Sequence, residues 1–289
     1  MRSRRVGPPN FGGVDVTEPE FQNLEMRRSG NVLTCVLNRP QRRNAVDDVM
    51  HQELVEMFQL IARDDEVNAV VLTGAGKAFC VGGDLAHMDD QFEKHAEDHP
   101  GLFGDAADLF HAIMRVRQPI IAAVNGDALG VGASLAVLSD IVLMSADARI
   151  GDTHVRAGLV PGDGGLVVWP LLLSLNVAKE LLFTGRLLSA TEAQQLGLVN
   201  RVVDPADLLD EATKLAEDLA SVPQPALRFT KRVLNKLLME RANYGLDLGL
   251  ALEAVTLGTT EHKAAVSAFV ARSQQRAQNT TESGDQPDV

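Results

Sequence analysis

Cysteine is scarce: Cys35 and Cys80 are the only two in 289 residues. Two are too few for a disulfide framework, and both are read as buried, reduced thiols, which favours the cytoplasm. Basic charge is short as well, since 27 Lys and Arg face 39 Asp and Glu for a formal net charge of −12. A surface of that sign repels phosphate backbones and anionic bilayers, so no nucleic acid and no membrane is expected as the main partner. Long apolar runs are lacking. Arg2, Arg4 and Arg5 are followed by Gly7, Pro8 and Pro9 rather than the apolar stretch of a signal peptide, and export is not expected. What is present is ordinary: 45% hydrophobic and 23% charged residues, the composition of a globular chain with material for one large core. A small-molecule substrate fits this balance.

Residues 1–19 and 273–289 lack periodicity and are expected to be disordered ends. Between them, Leu24 to Arg28 and Val32 to Leu37 are strand-like runs separated by Ser29, Gly30 and Asn31, the turn chemistry of a hairpin. Val46, Val49, Met50, Leu54, Met57, Phe58 and Ile61 recur at helical spacing. Ala69 to Thr73, Ile120 to Val124 and Ile141 to Ser145 read as buried strands with helices between them, which makes the class α/β. A core domain over residues 20–204 is followed by a helical region over 205–272, with helices predicted over Ala206 to Ala220, Ala226 to Met239 and Tyr244 to Ala271. The segment containing Gly245, Leu246, Leu248, Leu250, Leu252, Val255 and Leu257 is apolar on more than one side and predicts contact with another subunit.

Gly-rich loops follow two of the strands, at Gly74 to Asp84 and at Gly126 to Gly132. Neither is a nucleotide motif. Gly74-Ala75-Gly76-Lys77-Ala78-Phe79 and Gly130-Val131-Gly132-Ala133-Ser134-Leu135 both lack the last Gly of a dinucleotide fingerprint, and no Gly-Lys-Ser/Thr phosphate loop is present. Each loop joins a strand end to a helix start through small residues, a geometry that points unpaired backbone N–H groups into a cleft. Two such groups meeting at one carbonyl oxygen form an oxyanion hole, aided by the positive end of a helix beginning near Gly132. Tight turns alone are the competing explanation for either loop taken singly.

The residues of these loops carry a family resemblance. Ala78-Phe79-Cys80-Val81-Gly82-Gly83-Asp84-Leu85 resembles the first oxyanion loop of the enoyl-CoA hydratase/isomerase (crotonase) superfamily. Ala122-Ala123-Val124-Asn125-Gly126, with Ala128-Leu129-Gly130-Val131-Gly132, resembles the second. Asn38-Arg39-Pro40 with Asn44-Ala45, Ser139-Asp140-Ile141, Gly158-Leu159-Val160-Pro161-Gly162 with Gly164-Gly165, Thr184-Gly185-Arg186 and Ala193 to Val199 follow in order. The resemblance, from about Leu24 to about Arg272, implies a crotonase-like spiral of ββα units with a helical C-terminal region, in a homotrimer or a dimer of trimers. It implies oxyanion donors at the N–H of Gly83 and Val131, and adenine contacts at the backbone of Val81 and Gly83. Arg42 and Arg43 are then phosphate partners for coenzyme A, or else a solvated loop. No cofactor is implied beyond the coenzyme A of the substrate, and no metal.

The pattern breaks at the carboxylates. Hydratases of the family place one Glu in the helix of the second loop and another some twenty residues on, to activate water and deliver a proton. Ser134 and His154 stand at those positions. Serine is no base unaided, whereas histidine titrates near neutral pH and can move a proton at a carbon of a bound acyl-CoA. Asp163, in Gly162-Asp163-Gly164-Gly165, is a catalytic carboxylate or a helix cap, and Asp152 could orient His154 or leave it a structural histidine. Val131 replaces a customary Gly and adds a β-branched side chain beside the acyl pocket. Cys80 is read as a buried thiol. Two other functions stay open: thioester hydrolysis by Ser134 with His154 and Asp163, and acyl-CoA binding without turnover.

Overall fold

The computed structural model describes residues 20–88 and 102–283; the disorder expected of 1–19 and of the last residues, 284–289, lies outside them. Strands β1 (Leu24–Ser29) and β2 (Val32–Leu37) form the expected antiparallel hairpin. Helix α1 (Asp48–Arg63) begins where the Asp47 side chain accepts the Met50 N–H at 2.9 Å, satisfying one of the amides a helix start leaves open. Met50, Leu54, Met57, Phe58 and Ile61 form its buried stripe.

A unit of long strand, short strand and helix then recurs. Its turns are β3 (Ala69–Gly74), β4 (Ala78–Cys80) and α2 (Leu102–Arg115); β5 (Ile120–Val124), β6 (Asp127–Leu129) and α3 (Val131–Leu138); and β7 (Ile141–Ser145), β8 (Arg149–Gly151) and α4 (Gly165–Leu172). They are followed by α5 (Leu175–Thr184), β9 (Leu188–Ser189), α6 (Ala190–Leu196) and β10 (Arg201–Val203). The long strands and the three-residue β10 build a six-stranded sheet in the order β1-β2-β3-β5-β7-β10, parallel beyond the hairpin, and the other short strands build a second sheet, β4-β6-β8-β9. This is the spiral of ββα units.

The central strands β2, β3, β5 and β7 are largely apolar because both faces of their sheet are covered. Val70, Leu72, Ile120, Ala122, Val142 and Met144 enter the main core, while the alternating Val71, Ile121, Ala123 and Leu143 pack with Leu208, Ala212 and Ala216 of α7 (Leu208–Ser221). A one-residue slip would exchange the two sets, and each fully buried Val, Leu or Ile is worth about 1.5–3 kcal/mol, so the register is firmly set.

The C-terminal region differs from expectation in two respects. A single helix, α8 (Gln224–Leu257), covers the two helices read on either side of Met239 and Tyr244, and the break falls at Gly258 and Thr259 instead. Glu240, Arg241 and Ala242 are good helix formers, so nothing local interrupts the turn there. The last helix, α9 (Thr260–Ser283), continues past Arg272 into the stretch expected to be disordered. Among the described residues no helix is long and apolar enough to cross a membrane.

Candidate active site

The two Gly-rich loops meet backbone to backbone. β4 and β6 pair in parallel, and the residues after them come into contact where Gly82 (φ +100°) and Gly130 (φ +52°) adopt backbone angles that L side chains rarely reach. A Cβ on Gly130 would lie 3.6 Å from the Gly82 Cα, and one on Gly132 would lie 2.2 Å from the Cys80 carbonyl oxygen. Only glycine permits this approach. Side-chain amides fasten the same turns: Asn125 Oδ1 accepts the Gly74 N–H at 3.0 Å, and Asn44 Nδ2 donates to the carbonyls of Ala75, Ala78 and Phe79 at 2.9, 2.8 and 3.1 Å.

Each loop leaves one amide unused. Gly83 forms a bridge with Val46 in which Val46 N–H donates to Gly82 O and Asp84 N–H donates to Val46 O. The bridge therefore uses the groups on either side of Gly83, whose own N–H is turned away from Val46. Val131 opens α3, where a helix has no acceptor to offer. Neither N–H has a hydrogen-bond partner among the described residues, and each belongs to the residue directly after the Gly82–Gly130 contact.

Behind Gly130 stands a group of buried charges. A Cβ on Gly130 would lie 3.6 Å from His154 Cε1. Asp152, following β8, is 2% exposed and takes both the backbone N–H of His154 at 3.1 Å and its ring Nδ1 at 2.8 Å. That contact assigns the ring proton to Nδ1 and leaves Nε2 facing Asp163 Oδ2 at 3.7 Å and Glu253 Oε1 at 4.0 Å. Asp163 Oδ1 accepts from Ser134 Oγ at 3.0 Å and from the Gly165 N–H at 3.3 Å. The carboxylate thus touches the first turn of α4 as a cap would, while its Oδ2 is buried with no hydrogen-bond partner among the described residues.

Burial and charge set the protonation of this group. Burial works against an imidazolium at His154, but Asp152, then Asp163, outweigh it and hold the pKa up at about 10. Burial raises Asp163 above the ordinary carboxylate range against the pull of His154. Burial likewise pushes Glu253 up to about 7, again opposed by His154. With His154, Asp163 and Glu253 all raised and set beside one another, the group shares protons. Cys80 is different: burial lifts its thiol to about 12, which leaves it neutral and unreactive.

The structure brings Ser134, His154 and Asp163 together, but not as a serine–histidine pair. Ser134 is 2% exposed and its hydroxyl is engaged by Asp163, so the chain of contacts runs Ser134, Asp163, His154, Asp152. Arg42 and Arg43 lie at the rim and are occupied at one end: Arg42 Nη2 pairs with Asp84 Oδ1 at 3.1 Å, and Arg43 Nη2 with Asp127 Oδ2 at 2.9 Å. Their side chains are 46% and 58% exposed, so further guanidinium N–H groups face solvent. Val81 and Gly83 sit at the accessible edge of the first loop. Ligand atoms of Asp152, His154 and Asp163 lie within 4.8 Å of one another, close enough to hold a cation, although Nδ1 of His154 is already engaged. Glu253 is absent from the sequence reading. Its one signal was a carboxylate in a largely apolar helical stretch that also holds Asp247.

The chain matches known proteins of one family over most of its length. The family described as "Enoyl-CoA hydratase/isomerase" matches residues 27–279. A short-chain-enoyl-CoA hydratase of Clostridium acetobutylicum is 34% identical over 256 residues, covering 87% of this chain and 95% of the relative. A 1,2-epoxyphenylacetyl-CoA isomerase of Escherichia coli is 34% identical over 245 residues, covering 83% and 92%. The crystal structure of an enoyl-CoA hydratase/isomerase from Mycobacterium paratuberculosis superposes with a TM-score of 0.81 at 38% identity, covering 85% of this chain and 98% of that one. With its two-sheet spiral, its glycine-packed loops and these matches over most of its length, the chain belongs to the enoyl-CoA hydratase/isomerase family.

Proposed function

We propose that this enzyme binds an acyl-CoA thioester with its carbonyl oxygen on the N–H groups of Gly83 and Val131, and moves a proton at the adjacent carbons through His154. The observation that supports it most is the coincidence of two unpartnered amides with one imidazole, all gathered at the Gly82–Gly130 contact. Donors placed in this way stabilise an enolate oxygen, and each is worth about 2.7–4 kcal/mol in the transition state. Asp152 fixes the ring, Asp163 faces its free nitrogen, and Ser134 holds Asp163. The relatives named as hydratase and isomerase both act on CoA thioesters by name, which supports the substrate class. In hydration, water adds to the β-carbon of the enoyl thioester and the enolate so formed is protonated at the α-carbon; in isomerisation, a C–H proton is removed to form the enolate and is returned at another carbon.

Coenzyme A lies along the first loop in this reading, its adenine against the backbone of Val81 and Gly83 and its phosphates near Arg42 and Arg43. Val131 narrows the acyl end. Leu248, Leu252 and Val255 are 61%, 45% and 66% exposed on α8, and a second and third copy of the chain would cover them in a trimer or a dimer of trimers. Light scattering of the purified chain checks that assembly. Activity is tested by incubation with a panel of enoyl-CoA thioesters and mass spectrometry. Gain of a water mass marks hydration, and an unchanged mass with a new retention time marks a shifted double bond. Free CoA lost on Ser134→Ala would instead favour thioester hydrolysis, which the engaged Ser134 hydroxyl argues against. Binding without any turnover across the panel would leave a carrier rather than an enzyme.

A further inference from the structure

Helix α8 reaches over the charge group because two glycines allow it. A Cβ on Gly162 would lie 2.9 Å from the Gly249 backbone and 2.5 Å from Glu253 Oε2. Farther along the helix, Thr256 Oγ1 accepts the Val160 N–H at 3.2 Å. Gly249, Glu253 and Thr256 therefore share one helix face, at spacings of four and three residues, and that face is docked on the segment from Val160 to Gly162. Glu253 is held there with 17% of its side chain exposed and Oε1 turned toward His154 Nε2. A surface carboxylate would not require bare backbone beneath it.

His154 has only Nε2 free to exchange a proton with a ligand, because Asp152 occupies Nδ1. To act as a base, the ring must first be neutral at Nε2, so its proton needs an acceptor. Asp163 faces that nitrogen with Oδ2 while Oδ1 is tied to Ser134 and Gly165. Glu253 is engaged by the Gly162 backbone N–H, and its Oε1 faces the ring across the interface between α8 and the site.

We propose that Glu253 is a proton-relay carboxylate, acting through His154 rather than on the substrate, a role that rests on the acyl-CoA reading above and deepens it. In the first step the Nε2–H bond of His154 breaks and an O–H bond forms on Glu253. A substrate C–H bond then breaks, its electron pair remains in the enolate, and a new Nε2–H bond forms. Delivery of that proton to another carbon, followed by return of the Glu253 proton to Nε2, restores the starting state. The 4.0 Å separation exceeds a hydrogen bond and closes by a small side-chain rotation or through one water. The other charged groups acting on the pair are Asp152, from the segment after β8, and Asp163, from the turn before α4; both hold the proton on the ring, so the relay is what releases it.

The test uses the full-length chain, Glu253→Gln and Glu253→Asp. Nitrogen-15 histidine NMR should show the protonation midpoint of His154 falling in Glu253→Gln, because one of the anions facing the ring is removed. On any thioester that the unaltered enzyme turns over, kcat should fall about 10²-fold with KM unchanged, the magnitude of a lost acid–base group. One limb of the kcat–pH profile should disappear, and Glu253→Asp should restore part of the rate. An unchanged His154 midpoint, or a rate loss that merely follows a lowered Tm with the same pH profile, overturns the proposal. Should Glu253→Gln not fold, the midpoint and profile of Glu253→Asp are judged by the same criteria. Failure of every thioester would overturn the functional reading, and the NMR midpoint would still decide whether the charge of Glu253 acts on His154.

Discussion

The two walls of the site are built on opposite principles. One, the pair of loops meeting at Gly82 and Gly130, is made of backbone and is shaped by the absence of Cβ atoms. The other, around His154, is four ionisable groups from three parts of the chain, shaped by which of them keep their protons. The first wall is indifferent to pH and intolerant of volume. The second tolerates isosteric change and responds to every proton. A backbone site is thus set when the chain folds, whereas a charge site is still adjustable afterwards.

Substitutions can separate the two walls. The largest effect is expected for His154→Ala, with kcat on a productive thioester falling about 10³-fold, within the range for a lost acid–base group, while thermal-shift titration shows CoA binding retained. Equal losses in both measurements would make His154 structural. Val131→Pro removes one amide at a helix position where proline is accommodated, and a loss of about 10²–10³ in kcat with little change in Tm is expected for a missing oxyanion donor. Gly132→Ala probes volume alone: its Cβ meets the Cys80 carbonyl at 2.2 Å, and urea unfolding should show a destabilisation of about 3 kcal/mol, typical of severe overpacking.

The charged wall makes a prediction about pH. His154 is raised from 6.5 to about 10 and Glu253 from 4.5 to about 7. Both groups hold protons in the folded state that the unfolded chain has already released, so stability contributed below pH 4.5 is lost first through Glu253 and then, from 6.5 to 10, through His154. Urea midpoints should therefore fall from pH 6 to pH 9, and Asp152→Asn, which removes the first of the anions supporting His154, should flatten that decline. The smallest effect is expected for Arg43→Ala. Its exposed pair with Asp127 is worth under about 1 kcal/mol of stability, so a rise in KM for CoA esters without a change in Tm would isolate its contact with phosphate.

Legibility in the sequence followed the range of the interactions. The long strands, the hairpin and α1 could be read because their burial repeats with a local period, and the two loops because glycine has few substitutes where backbones touch. Ser134, His154 and Asp163 were placed by their positions in a familiar pattern. Their mutual order was not legible: that Ser134 bonds to Asp163 rather than His154 depends on how α3 and the turn before α4 approach each other. Glu253 was hidden for the same reason. Its partners lie far upstream, and Gly249, which permits the approach, resembles a helix weakness rather than a docking point. The unbroken α8 across Glu240 to Asn243 shows that the end read at Met239 had no helix-breaking residue behind it.

The contact between Thr256 and Val160 ties one of the last helices to be synthesised to a segment made much earlier. A nascent chain still lacking α8 already has Asp152 and His154 in the turn that follows β8, yet the ceiling over them is missing and water reaches the imidazole. Catalytic competence on the ribosome should therefore arrive late and abruptly, with the emergence of the C-terminal helices, and a premature stop before Glu253 would leave an open, hydrated basin in place of a reaction chamber.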